Sequence, residues 1–267
     1  MFLTFRTRMV LRLLMIVGLA FLYVPLGIVV LNAFNKSRAY AFPPTGYTVK
    51  WWHAAADNDG AIKGLEASVK AGLGATAIAL VLGTMAAFAV QRYRFFGRST
   101  VSFLVILPIA LPGIVTGIAL QNAFTSVLAI NLSIWTIIIG HATFCVVIVF
   151  NNVQARLRRT GTSLEQASAD LGATGFQTFR FVTFPAVRGA LVAGALLAFG
   201  LSFDEIVVTN FTAPAAVQTL PLWIFGNLFR PNEAPVVNVV AAVLIVLAVV
   251  PVWLAQRLTD DAAGSRF

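Results

Sequence analysis

Gly161–Pro185 reads GTSLEQASADLGATGFQTFRFVTFP. The stretch is polar and helix-prone, and its 25 residues are too many for a turn. Strongly apolar segments flank it on both sides. A chain that separates two such segments with this much polar sequence presents a helix to the aqueous phase.

The composition sets the same frame. Of 267 residues, 59% are hydrophobic and 11% charged, and the mean hydropathy is +0.87. This departs far from a soluble globular domain and reads as a polytopic membrane protein, all-α. A net charge of +9 would point to nucleic acid in a soluble protein. Here the arginines flank apolar segments, so the charge reports membrane topology and no nucleic-acid partner is expected. The single cysteine, Cys145, lies within an apolar run, which excludes an intrachain disulfide and reads as a packing residue. The first apolar stretch, Leu13–Leu31, follows Arg6, Arg8 and Arg12 as in a signal peptide. It is longer than a signal's apolar region and reads as a retained signal-anchor helix.

A helix that crosses a bilayer needs about 20 mostly apolar residues. Six segments qualify: 13–33, 66–90, 101–121, 134–153, 187–209 and 236–256. They divide the chain into an N-terminal stub and first span (1–33), an outer loop (34–65) and a core of five spans (66–257). A polar loop (154–186) interrupts that core, and a tail (258–267) ends the chain. Thirteen of the 19 Lys and Arg fall in the N-terminus, the 91–100 loop, the 154–186 loop with Arg188 beside it, and the C-terminus, the last supplying Arg257 and Arg266. The positive-inside rule then puts both termini and the Gly161–Pro185 stretch in the cytoplasm. Pro108, Pro112, Gly113 and Gly117 predict a kinked third span, and Gly72, Gly74 and Gly83 a close helix approach in the second. On the outer side, Phe42-Pro43-Pro44-Thr45-Gly46-Tyr47 reads as a turn or extended element, and Trp51 and Trp52 as interfacial anchors, with contact to a docked partner as the alternative.

No phosphate-binding GxxxxGK[ST] loop, HExxH or GxSxG occurs, so neither ATP hydrolysis nor a catalytic set is expected of this chain. His53 and His141 are the only histidines, too few for a metal site, and His141 within the fourth span reads as a hydrogen-bonded packing residue. The costly residues are Asp204 and Glu205, in Leu201-Ser202-Phe203-Asp204-Glu205-Ile206. Carboxylates at membrane depth cost roughly 2.5–3.5 kcal/mol each and face a cavity or a partner. On a continuous helix the two would diverge by about 100°, so one lines a path while the other meets a neighbour. No Lys or Arg lies between Gly189 and Phe229 to pair with them locally. A carboxylate on a translocation path attracts cations. An interface charge paired with a residue remote in sequence is the alternative. Beyond them, Thr219–Asn227 is apolar but too short to span, and reads as an outer-face or re-entrant segment. Its Trp223 and Phe225 suit an organic cation or ordinary packing.

With those residues in hand, the polar loop resembles the signature of the membrane subunits of binding-protein-dependent ABC importers. That signature runs Glu-Ala-Ala, three residues, Gly, nine residues, then Ile-x-Leu-Pro. Here the spacing is kept by Gln166-Ala167-Ser168, Gly172 and Val182-Thr183-Phe184-Pro185. Gln and Ser replace two residues of the triplet, with Glu165 one place early. Leu31-Asn32-Ala33-Phe34-Asn35 through Trp51-Trp52, Leu82-Gly83-Thr84 through Phe95, and Ser202–Glu205 followed by Thr219–Leu222 narrow the resemblance to permeases for polyamines, spermidine and putrescine. Related permeases for ferric iron, opines or phosphonates share parts of these blocks.

The resemblance implies the ABC importer permease fold and a coupling helix that docks an ATPase subunit. Its contact residues would be Glu165, Gln166, Ala167, Ser168, Asp170, Gly172 and Pro185. Taken with the reading of the carboxylates and aromatics above, the expected path is bordered by Phe203, Asp204, Glu205, Trp223 and Phe225. The resemblance also implies a second homologous permease, an ATPase dimer that holds ATP and Mg, an extracytoplasmic binding protein, and residence in the inner membrane. No cofactor or metal is implied for this chain. A stand-alone secondary transporter is the rival class, but neither an inverted repeat nor coupling-ion ligands are visible.

Overall fold

The computed structural model describes residues 4–38 and 43–248. Phe42, residues 249–256 of the expected sixth span, Arg257, and the 258–267 tail with Arg266 lie outside the described residues.

The architecture is all-α. The helices are α1 (Phe5–Asn32), α2 (Lys50–Ala56), α3 (Asp59–Arg92), α4 (Arg98–Ala110), α5 (Gly113–Asn122), α6 (Ile134–Thr160), α7 (Ser163–Asp170), α8 (Gly175–Thr178), α9 (Phe184–Phe203), α10 (Val207–Thr212), α11 (Leu220–Asn227) and α12 (Ala234–Ala248). Short π-helical segments extend α5 (Ala123–Val127) and join α8 to α9 (Phe179–Thr183). Among the described residues, the only extended pairing is an isolated bridge between Asn35 and Tyr47.

Four stretches are long and apolar enough to cross a membrane: Phe5–Asn32, Asp59–Arg92, Ile134–Thr160 and Gly175–Phe203. The α4–α5 pair supplies a fifth if its two halves are counted together, and α12 overlaps the first part of the expected sixth span. The third span is not the gently kinked helix that its prolines predict. It is broken, and its halves are bent by 105°. Leu111 precedes Pro112 and adopts an extended backbone (φ −81°, ψ 143°), because the proline ring disfavours helical geometry at the residue before it. The fifth span also differs. It begins earlier, at Gly175, and its helix stops at Phe203, where Asp204 caps it before α10 starts.

The described residues fall into two compact units, one within Met1–Ala61 and Ile224–Val252, the other Ile62–Trp223. In the first, Ala33, Trp51, Val239 and Ala242 form the core. Trp51 is therefore internal rather than an interfacial anchor, and its indole N–H donates to the Asn35 carbonyl at 2.9 Å. A buried indole needs a partner for its N–H, and the Asn35 carbonyl supplies it.

The second unit is organised around α6. Ser133 and Thr136 form a capping box that starts it, and its residues Cys145, Val147, Val149, Phe150, Val153 and Leu157 are fully buried. Helix α9 packs along it through Val187, Gly194 and Ala198. Helix α3 approaches through its glycines, as expected. A Cβ on Gly83 would stand 2.8 Å from the Val146 carbonyl oxygen, a backbone atom that cannot rotate away. Gly83→Val should therefore cost about 2 kcal/mol or more through forced separation of α3 from α6. Thermal unfolding of the purified protein in detergent checks this, and an unchanged midpoint would contradict the contact. The short α11 docks on α3, where the Leu220 N–H donates to Ser68 Oγ at 2.9 Å.

Candidate functional site

Two features of the second unit carry functional residues. The first is the α7–α8 loop between α6 and α9. Helix α7 ends at Gly172, whose φ of +83° is left-handed and suits glycine at a helix end. The chain reverses there, and the Thr174–Gln177 capping box starts α8. Ser168 Oγ and Thr178 Oγ1, 3.0 Å apart, tie the two limbs together. Pro185 is exposed at the start of α9, directly after the π segment.

Within this loop the residues point two ways. Glu165 turns inward. Its carboxylate accepts from Arg92 Nη2 at 2.9 Å and from Thr183 Oγ1 at 3.0 Å, and Arg92 Nη2 also donates to the Gly161 carbonyl at 2.8 Å. The Arg92 side chain is only 13% exposed and that of Glu165 24%. This node fastens both ends of the loop to the end of α3. Gln166, Ala167, Asp170 and Gly172 face outward and Ser168 is half-buried. The loop also exposes apolar side chains that the expected contact set left out. Leu164 is 61% exposed, Leu171 89% and Phe176 70%. Leu171 beside an exposed glycine corner is a knob suited to a groove on another protein. Arg92→Ala should loosen the loop, leaving the half-buried Glu165 carboxylate with only the Thr183 hydroxyl, at a cost of about 1 kcal/mol. Limited trypsin digestion should then cut at Arg180 faster than in the parent. An unchanged rate would mean the node does not hold the loop.

The second feature is the break between α9 and α10. The two carboxylates do not sit on consecutive helical positions. Asp204 ends α9, donates its N–H to the Gly200 carbonyl at 3.2 Å, and is exposed. Glu205 lies outside helix. Its Oε1 accepts from the Val208 N–H at 2.8 Å, in the first turn of α10, where the unpaired N–H groups of the helix favour a negative charge. Neither carboxylate forms an ion pair among the described residues.

Glu205 also lines a cavity of about 140 Å³ together with Pro108, Ile109, Leu111, Gly113, Thr116, Phe144, Leu201 and Val208. The two helix breaks meet here. The C-terminal end of α4, with carbonyls that lack intrahelical partners, contributes further negative potential. A carboxylate, a helix C-terminus and an aromatic ring around one apolar cavity suit an organic cation. The sequence reading missed Pro108, Thr116 and Phe144, although the proline-rich run marked the break that brings the first two here. Phe203 is half-buried, with its ring 5.7 Å from that of Phe199. Trp223 is buried and does not line this cavity, and Phe225 is 60% exposed and belongs to the other compact unit.

Residues 79–262 match the family described as "Binding-protein-dependent transport system inner membrane component". The chain is 33% identical over 242 residues to the spermidine/putrescine transport system permease protein PotC of Escherichia coli strain K12, covering 91% of this chain and 90% of that one. It is 31% identical to the putrescine transport system permease protein PotI of the same organism, over 86% of this chain and 84% of the other. Among solved structures, a chain of a bacterial ABC transporter involved in the import of the acidic polysaccharide alginate superimposes with a TM-score of 0.72. That match is at 15% identity and spans 96% of this chain and 99% of that one, so what the two share is the fold.

Proposed function

The chain belongs to the family of binding-protein-dependent transport system inner membrane components, and from that premise we propose that it is a permease subunit for spermidine and putrescine in an ATP-driven importer. It lies in the bacterial inner membrane with both termini in the cytoplasm, as the distribution of Lys and Arg favours. A second, homologous permease completes the path. An ATPase dimer docks on the α7–α8 loop and supplies all nucleotide chemistry with its own ATP and Mg. An extracytoplasmic binding protein delivers the substrate.

In this reading the exposed face of the loop, from Leu164 through Gln166, Ala167, Asp170, Leu171 and Gly172 to Phe176, meets the ATPase. Glu165 and Arg92 carry its displacement into α3, and Pro185 starts the helix that carries it into α9. Asp204 and Glu205 draw a diammonium chain into the path. Glu205 holds one ammonium group in the cavity against Phe144, while Asp204, Phe203, Trp223 and Phe225 are further candidates for contacts along the way. The observation that carries the substrate assignment is Glu205, a carboxylate just beyond the end of a membrane-length helix, at a cavity, with no cationic partner among the described residues.

Uptake of radiolabelled putrescine into proteoliposomes loaded with ATP tests the reading. Uptake should require this chain, the second permease, the ATPase and the binding protein together. Uptake that persists without the ATPase would make the chain a secondary transporter. Uptake of 2-aminoethylphosphonate or ferric iron, with none of putrescine, would keep the importer class and discard the polyamine.

A further inference from the structure

His141 sits in the N-terminal third of α6 and is fully buried. Both ring nitrogens are engaged. Nδ1 lies 2.7 Å from Ser202 Oγ and Nε2 2.8 Å from Thr209 Oγ1. Ser202 is in the last turn of α9 and Thr209 in the first turn of α10, so one imidazole ties together the two sides of the break that exposes Asp204 and Glu205. Thr209 Oγ1 in turn donates to the Glu205 carbonyl at 2.7 Å.

Counting hydrogens gives this chain a direction. The single Thr209 hydroxyl hydrogen goes to the Glu205 carbonyl, so its oxygen accepts from His141 Nε2–H, and Nδ1 accepts from the Ser202 hydroxyl. The neutral imidazole satisfies every group. No aliphatic side chain can make both bonds, and a buried polar ring without partners would be costly. The ring also lies 5.5 Å from that of Phe144, which lines the cavity. His141 thus touches the break on both sides and one wall of the cavity without lining the cavity itself.

We propose that His141 is a positioning residue that fixes where Glu205 presents its carboxylate to a substrate ammonium group. The proposal rests on the reading of Glu205 as the cation-binding group. Glu205 stands in the irregular backbone between α9 and α10, and its Oε1 is held by the Val208 N–H in the first turn of α10. The hydrogen-bonded imidazole fixes that turn of α10, and with it the Glu205 carboxylate, against the end of α9, as second-layer partners do around other precisely placed ligating groups.

The test uses the full reconstituted importer with putrescine and its binding protein, and reads putrescine delivered per ATP hydrolysed. A purely structural role would lower transport and hydrolysis together and leave this ratio unchanged. His141→Ala should lower the ratio about tenfold, Thr209→Val should do the same where the histidine variant assembles poorly, and His141→Gln, which can both donate and accept, should recover much of it. In a Glu205→Gln background neither change should lower the ratio further. If the His141 and Glu205 effects multiply instead, or if His141→Ala and Thr209→Val leave the ratio at the parent value while Glu205→Gln lowers it, the positioning role is overturned and the cation site stands. If Glu205→Gln alone leaves the ratio unchanged, the cation reading fails and the proposal falls with it.

Discussion

Leu171→Asp is expected to strip the ATPase from the complex. Leu171 is 89% exposed at the corner of a loop held from behind by Arg92 and Glu165, so little inside the chain depends on its side chain. Its apolar surface gains only if another protein covers it. Placing a carboxylate in that contact removes the burial and adds a charge that must be desolvated. Loss of about 2 kcal/mol or more of docking energy weakens association about thirtyfold or more. The chain itself should remain folded, with an unchanged elution profile in detergent, while the co-purifying ATPase disappears. Leu171→Met, which keeps the apolar knob, should retain it. Full retention by the aspartate variant would place the docking surface elsewhere.

Glu205→Gln is expected to lower putrescine transport about tenfold or more while the complex assembles normally. The change keeps the shape and leaves an oxygen to accept the Val208 N–H, so the start of α10 should survive. What it removes is the negative charge beside the cavity. A hydrogen bond to a charged partner is worth about 1.5–3 kcal/mol, which sets the size of the loss. Asp204→Asn should have a smaller effect, because Asp204 is exposed and lines no cavity among the described residues. Initial rates of radiolabelled putrescine uptake at saturating binding protein decide between them. Equal losses for the two variants would mean that the path follows the exposed side of the break.

The contrast between these two carboxylates marks how far the sequence reaches. Runs of about 20 apolar residues pointed to the long helices, because bilayer thickness fixes the length of a helix that satisfies its own backbone, although the third is broken and the fifth lies outside its expected bounds. The polar stretch between Gly161 and Pro185 stood out for the same reason, and its spacing identified the family. The α4–α5 break was half legible. Pro108 and Pro112 announced a disturbance, but not the 105° angle between the two halves.

The α9–α10 break left no local signal. Nothing in Leu201–Val208 forbids a helix, and the backbone leaves it in a region where His141, more than 60 residues earlier, bonds both Ser202 and Thr209. Glu165 is a similar case. Its neighbours in sequence suggest an outward contact, whereas its partner Arg92 lies 73 residues away. Local patterns therefore pointed to the long apolar helices and the loop, whereas the partners that hold Glu165 and the α9–α10 break lie more than 60 residues away in sequence.

The most direct measurement is ATP hydrolysis by the complex of this chain with its second permease and ATPase, reconstituted in lipid and challenged with binding protein. The account predicts that binding protein loaded with putrescine or spermidine stimulates hydrolysis, and that the same protein without ligand, or loaded with ferric iron, does not. Stimulation by another ligand but by neither polyamine, or the absence of any associated ATPase, would contradict it.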